Sequence, residues 1–443
     1  MAEKISFPAG RLGLLAVCCA MFLSWGIARS EGAQVLTLED CLAAAEANHP
    51  GIAGANASVA SAAGRLASSA VSDRLEISGS AAVTRSGNEM SENLGSSLGL
   101  SASVKVYDAN RNKYAVDSSR ASLSATEEEA RNTLFGVRSG VKSAFLTLLL
   151  DYEITRQREE SVRAFEQHLE QAKGFYEAGT KPWYDVTKAE VDLGNAQMSL
   201  AEASADIRDA RASLASAMGA DPSEEFDITS PGLEVITLPD GTESAAADMA
   251  LENRTDYRAS RLKIDAGILS LRSDARANAP SVSLSGGYSG DGDENDFSHL
   301  AMGWNTGLRM TVPIIDGGAY KARVDSARAQ VMSLEASHEK LRQDILLEVS
   351  RAKTDIIKAR ERIRVSELTL VNAEENRRMA VGRYETGVGD PLEVTDALVS
   401  FTDATLSNKR AHHDLQLAII NLEKAAGVEF ARTAGTEDGG NDK

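Results

Sequence analysis

The sequence predicts a mainly α-helical chain interrupted by β-hairpins and laid out as a duplicated helix-hairpin-helix repeat. The first observation behind this is a shift of 208 residues that maps one half onto the other. It carries Tyr176, Glu177 and Gly179 onto Tyr384, Glu385 and Gly387, and Asp108, Val116, Asp117, Arg120 and Ala121 onto Asp316, Val324, Asp325, Arg328 and Ala329. A unit of this length is a duplicated domain, since solenoid periods run to about 20–50 residues. The second observation is helical periodicity over very long stretches, and the third is a switch to period-2 alternation in two short stretches of each half.

From Asn112 to Ala178 apolar residues recur at Leu134, Val137, Val141, Phe145, Leu148 and Tyr152, every three or four residues and without proline. The second copy repeats this at Val331, Leu334, Leu341, Ile345, Val349 and Ile356. A helix of roughly 65 residues is about 100 Å long, a coiled-coil element and not part of an ordinary globular core. Gly179 and Gly387 are placed to end these helices in a left-handed C-cap. Antiparallel return helices are expected over Pro182–Met218 and Pro391–Ala426. Shorter helices near Thr37–Arg74 and Glu243–Ala277 open the two repeats, which span residues 34–218 and 243–428.

In each repeat the alternating stretches lie between the opening helix and the long one. Strands are expected at about 75–85 and 97–106, and again at 281–290 and 300–313. In the first, Leu75, Ile77, Gly79, Ala81 and Val83 alternate with Glu76, Ser78, Ser80, Ala82 and Thr84. Strands of about 10 residues with one apolar face fit a transmembrane β-barrel, and the same alternation fits a soluble hairpin packed on a helix. Four strands cannot close around a lumen, which takes about eight, so membrane-spanning strands imply several chains per barrel.

Composition excludes some partners. A formal net charge of −18 over 443 residues argues against nucleic acid, whose phosphates are held by clustered Lys and Arg. Lys4 and Arg11 precede an uncharged stretch, Leu12–Ile27, with a cleavage site expected after Ala28, so residues 1–28 read as a signal peptide. Cys18 and Cys19 fall inside it. Val17 stands where lipid attachment calls for a small residue, so both thiols are expected to leave with the signal. Cys41 is then the single mature cysteine, expected as a small buried apolar residue. Residues 219–242, with Pro222, Pro231 and Pro239, read as a linker, and 429–443 as a polar disordered tail. No HExxH motif, cysteine cluster or phosphate-binding glycine loop is present, so no enzyme activity, metal or cofactor is expected.

The order of elements, the duplication, and the segments LTLEDCLAAAEANHP, VPIIDGGAYKARVDSARAQ and RYETGVGDPLEVTDA resemble the TolC family of outer-membrane channel proteins over residues 34–428. The resemblance implies a homotrimer whose protomers each give four strands to a 12-stranded transmembrane barrel, continued by a long periplasmic α-helical barrel. It implies an exit duct for efflux or type I secretion, sitting in outer-membrane lipid and served by a periplasmic adaptor and an inner-membrane pump of RND or ABC type. A soluble periplasmic coiled-coil scaffold or adaptor is the alternative reading of the same helices. The adaptor-contact turns match Ala178, Gly179 and Thr180, and Thr386, Gly387 and Val388. The periplasmic aperture matches Asp185, Tyr384, Glu393 and Asp396: the three carboxylates would form rings of like charge, and Tyr384 matches a tyrosine that helps tie neighbouring coils shut. Asp390, Pro391 and Glu393 equally read as N-cap, N1 and N3 of a capping box. Gly389 stands where family members often carry a basic residue, which leaves a salt-bridged latch at Tyr384 without its cation.

Overall fold

The computed structural model describes residues 34–88, 91–229, 242–292 and 300–430. The signal peptide and most of the expected tail lie outside them. In chain order the elements are β1 (Gln34–Leu36), α1 (Leu38–Asn48), α2 (Pro50–Val71), β2 (Glu76–Asn88), β3 (Ser91–Tyr107), α3 (Arg111–Glu177), α4 (Trp183–Met218), β4 (Phe226–Ile228), α5 (Thr242–Asn253), α6 (Thr255–Asp274), β5 (Ser281–Gly292), β6 (Ala301–Thr311), α7 (Ala319–Glu385) and α8 (Pro391–Ala426).

The duplication is visible as matched geometry. The long helices α3 and α7 have 67 residues each and the return helices α4 and α8 have 36 each. The strand-to-helix junctions match as well: Ala109 and Asn110 take positive φ (57° and 66°), as do their repeat mates Gly317 and Gly318 (65° and 91°). Asp108 accepts from the Asn112 amide at 2.8 Å, and Asp316 accepts from the Tyr320 amide at 2.6 Å. Each long helix therefore starts from an aspartate that satisfies a free N-terminal amide.

The opening helices depart from the sequence expectation, because each is two helices. Pro50 lacks the amide needed to continue α1 and instead starts α2 at its first position, with the His49 ring accepting from the Gly51 amide at 3.0 Å. The second breaks at Arg254, which takes an extended conformation at the N-cap position of α6 and pairs with Asp256 at 2.7 Å. Within the expected linker, β4 pairs in parallel with β1, and Glu429 and Phe430 of the expected tail pack on the body. Glu429 lies 3.1 Å from Lys142, which also pairs with buried Glu423 at 3.2 Å and so ties α3 to α8.

Two equivalent cores sit where an opening helix meets a long and a return helix. Val141 and Leu148 pack with Cys41, Leu42 and Leu214, while their repeat mates Val349 and Ile356 pack with Ala246, Ala250 and Leu422. Alanine dominates elsewhere on the helix seams, which lets long helices approach closely. Few aromatics are needed for such a core, consistent with their 5% share.

The four long strands form one antiparallel sheet in the order β2-β3-β5-β6, with β2 and β6 as free edges. Its register puts all the apolar positions on one face. Leu100 lies opposite Gly79 and Tyr288, Tyr288 opposite Trp304, and Leu284 opposite Val104 and Leu308. The other face is built mainly of serine, glycine and other small polar side chains, with Glu76, Lys105 and Arg309 at one end and Ser101 bonded to Ser78 at 2.8 Å. No helix covers the apolar face among the described residues: Trp304 is 77% exposed and Leu308 71%.

Candidate functional site

The two ends where long helix turns into return helix collect every candidate residue. The turns themselves are alike. Gly179 and Gly387 have φ of 72° and 77°, a conformation that strains any residue with a Cβ. Their amides donate to Tyr176 and Tyr384 carbonyls at 2.9 and 3.0 Å, and the amides of Thr180 and Val388 to Phe175 and Arg383 carbonyls at 3.0 Å each. This is the reciprocal pair of bonds that closes a helix C-terminus. Ala178, Gly179, Thr180, Thr386, Gly387 and Val388 are all exposed, so these turns present backbone and small side chains outward.

Below the turns the two hairpins meet, and there the repeats diverge. Tyr384 is fully buried, its ring 5.2 Å from His168 and 5.3 Å from Phe175. Burial pushes its phenol up from the usual range, and the carboxylates of Asp185 and Asp390 push it further. Its hydroxyl has no hydrogen-bond partner among the described residues. Asp185 is buried beside it, and Asp192 is buried two turns further along α4 on the same face. Asp192 accepts from Thr395 Oγ1 of α8 at 2.9 Å and is paired with Lys188. His168, 3% exposed, is pushed below its ordinary pKa by burial, against the pull of Asp192 and Asp185.

Lys181 reaches from the first hairpin to the turn of the second. Its Nζ donates to the Gly389 carbonyl at 3.1 Å and stands 5.5 Å over the Tyr384 ring. Lys181 and Gly389 are repeat mates, yet only position 181 has room for a side chain. The reason is steric. A Cβ on Gly389 would lie 2.7 Å from the Tyr384 amide nitrogen, backbone that cannot move aside.

The remaining candidates are separate. Asp390 caps α8 alone, accepting from the Leu392 amide at 2.9 Å. Glu393 does not return to the Asp390 amide as a capping box requires; it faces Arg383 at 3.7 Å. Asp396 is exposed on the first turns of α8. The structure thus brings Asp185 and Tyr384 together and leaves Glu393 and Asp396 on open surface of the single chain. Sequence reasoning missed His168, Lys181, Asp192 and Thr395. A signal was present for two: His168 continues the buried stripe Ser161, Phe165, Ala172 of α3, and Asp192 the stripe Asp185, Ala189, Ala196 of α4.

Among the described residues no group of three or more His, Cys, Asp or Glu side chains is arranged to hold a metal ion. An aromatic and hydrogen-bonded junction holds hairpin α3-α4 against hairpin α7-α8, close to two exposed turns.

Comparison with known proteins gives one consistent picture. The sequence profile described as "Outer membrane efflux protein" matches residues 41–220 and 246–428, the two repeats. The outer membrane protein OprJ of Pseudomonas aeruginosa is 25% identical over 316 residues, 68% of this chain and 64% of that one. The outer membrane protein TolC of Vibrio cholerae is 21% identical over 344 residues, 75% and 76% of the two chains. The outer membrane protein VceC of Vibrio cholerae superposes with a TM-score of 0.76 at 20% identity, over 89% of this chain and 97% of that one. The chain spans somewhat under two thirds of the length of OprJ.

Proposed function

The chain belongs to the outer membrane efflux protein family, and from that premise we propose that it is a passive outer-membrane exit duct, assembled from three copies. The observation that carries this reading is the sheet: one uncovered apolar face, one small polar face, and two free edges. An apolar patch of this extent is the mark of a membrane or protein interface. The free edges need partners, because an open edge invites uncontrolled pairing. Three copies of four strands make a 12-stranded closed barrel, with the polar face inward and the apolar face in lipid, and the helices hang from it into the periplasm.

In this duct the helix tips form the periplasmic aperture. Glu393 and Asp396, exposed on α8 and repeated by threefold symmetry, line the narrow end and prefer cations, while Asp185 and Tyr384 are buried between the hairpins behind them. The turns at Gly179 and Gly387 receive a periplasmic adaptor that joins the duct to an inner-membrane RND or ABC pump, which drives small-molecule efflux or type I secretion. The buried contacts of Tyr384 hold the two hairpins together, and opening separates them.

The test is a charge scan in the outer-membrane fraction. Lysine at Leu100 or Leu308 destabilises the detergent-extracted trimer by about 2–4 kcal/mol, while lysine at Ser101 or Gly307 is tolerated. Equal tolerance on both faces, or a folded monomer in mild detergent, overturns the duct. For the tips, tryptophan at Gly179 or Gly387 abolishes transport and adaptor cross-linking; unchanged cross-linking removes the turns as docking site.

A further inference from the structure

The free edges carry enough information to say how one copy meets the next. β6 spans Ala301–Thr311 and β2 spans Glu76–Asn88, so every residue of β6 can find an antiparallel partner within β2 of a second copy. Side chains alternate faces along a strand, so the joined sheet keeps its apolar face only if polar-face residues meet polar-face residues. Two registers satisfy both conditions: Thr311 opposite Glu76, or Thr311 opposite Ser78.

Charge and packing separate them. Arg309 and Glu76 lie on the same polar face, near the same end of the sheet, on opposite edges. Neither has an ion-pair partner among the described residues, although Lys105 on that face is paired with Asp73 at 3.6 Å. With Thr311 opposite Glu76, Arg309 stands opposite Ser78 and diagonal to Glu76, within reach of long side chains. The same register sets Met310 on Ile77 and Trp304 on Val83, an aromatic against a β-branched residue. The other register sets Trp304 on Arg85 and leaves Ile77, 66% exposed, beyond the paired strand.

We propose that β6 of one copy pairs with β2 of the next with Thr311 opposite Glu76, and that an Arg309–Glu76 ion pair between copies pins this register. Within one chain Gly307 lies level with Glu76, through Ser285 and Ser103. In the proposed closure it meets Ser80 of the next copy, a four-residue climb per copy. Such a stagger is what a tilted, closed barrel requires. The inference rests on the duct reading, and its test keeps the two apart.

Cysteines are placed on the water-facing side of both edges in the full-length protein in outer membranes: Gly307→Cys with Ser80→Cys, and as alternatives with Ser78→Cys or Ala82→Cys. A Cβ at Gly307 meets nothing within 4 Å, so the new side chain fits. Native Cys41 is buried, with its thiol pushed up to about 11, and does not compete. Directly opposite positions lie close enough for a disulfide and positions two residues away do not. Mild oxidation is expected to give covalently linked trimers with Ser80→Cys and not with the alternatives. A second arm reverses charge: Arg309→Glu or Glu76→Arg alone lowers the temperature at which the trimer dissociates, and the exchanged pair restores it. Cross-linking through Ser78→Cys or Ala82→Cys, or a double reversal no better than the single ones, overturns the register while leaving the trimer in place. Chains that fold and stay monomeric overturn the duct itself, and the register with it.

Discussion

Tyr176 and Tyr384 occupy the same place in two copies of one turn, yet Tyr384 is fully buried and Tyr176 is 44% exposed. The turn glycines, Gly179 and Gly387, have φ of 72° and 77°, and the hydrogen bonds from their amides to the two tyrosine carbonyls are 2.9 and 3.0 Å long. What differs is the neighbour. Tyr384 lies against His168 and Phe175 of the first hairpin, whereas Tyr176 touches Trp183 of its own hairpin, with ring centroids 5.0 Å apart. Asp185 and Glu393 diverge in the same way, one buried beside Tyr384 and the other facing Arg383 in the open. Duplication conserved the turn because its hydrogen bonds are local. It did not conserve the environment, because the two hairpins are not placed equivalently in one chain.

The largest test of this contrast is truncation. Tyr384→Ala is expected to destabilise the protein by about 3–5 kcal/mol, as for a large buried aromatic, and Tyr176→Ala by under about 1 kcal/mol. Thermal unfolding of the two variants, read by circular dichroism, checks it, and equal losses would erase the contrast. Tyr384→Phe is expected to be neutral or stabilising, because the buried hydroxyl it removes has no partner.

A smaller effect separates the repeat mates Lys181 and Gly389. Gly389→Ala forces a Cβ into the Tyr384 backbone and should destabilise by about 1–3 kcal/mol. Lys181→Met loses one hydrogen bond and one cation–ring contact, about 1 kcal/mol. Denaturant midpoints at unchanged slope give both values; a harmless Gly389→Ala would mean the turn has room to shift.

The junction also has a sign for pH. Folding lowers the affinity of His168 for a proton, so the unfolded or opened chain binds that proton more readily. Stability from this residue is present above its ordinary pKa of about 6.5 and declines as pH falls from there toward its lowered folded value. His168→Phe should flatten that part of the stability profile. A profile unchanged by the substitution would assign the acid sensitivity to other groups.

The smallest effects fall where the repeats agree. Gly179→Ala and Gly387→Ala should each lose about 1 kcal/mol, and by the same amount, since both have positive φ and open space around the Cβ. Unequal losses would show that tertiary contacts reach the turns after all. Asp396→Ala, exposed and beyond the cap, should leave stability unchanged and reduce cation preference and divalent block in single-channel recordings.

Most of the fold was legible in the amino-acid order because it is built from local, repeating rules. Period 3.6 without proline made α3 and α7, glycine ended them, and period 2 drew the hairpins and chose which strand face is apolar. The misses share a cause. The three-residue strands β1 and β4 are too short to show a period, and the packing of Glu429 on Lys142 joins residues far apart in the chain. At the tips the sequence marked the turns and Asp185, Tyr384, Glu393 and Asp396, but not which of them meet. Meeting depends on how one hairpin lies against the other, a matter of close packing between distant segments. The glycine at 389 shows the division well. Its turn could be read from the chain, but only the tertiary structure showed that Tyr384's backbone leaves no room for a side chain there and that Lys181 reaches its carbonyl from the other repeat.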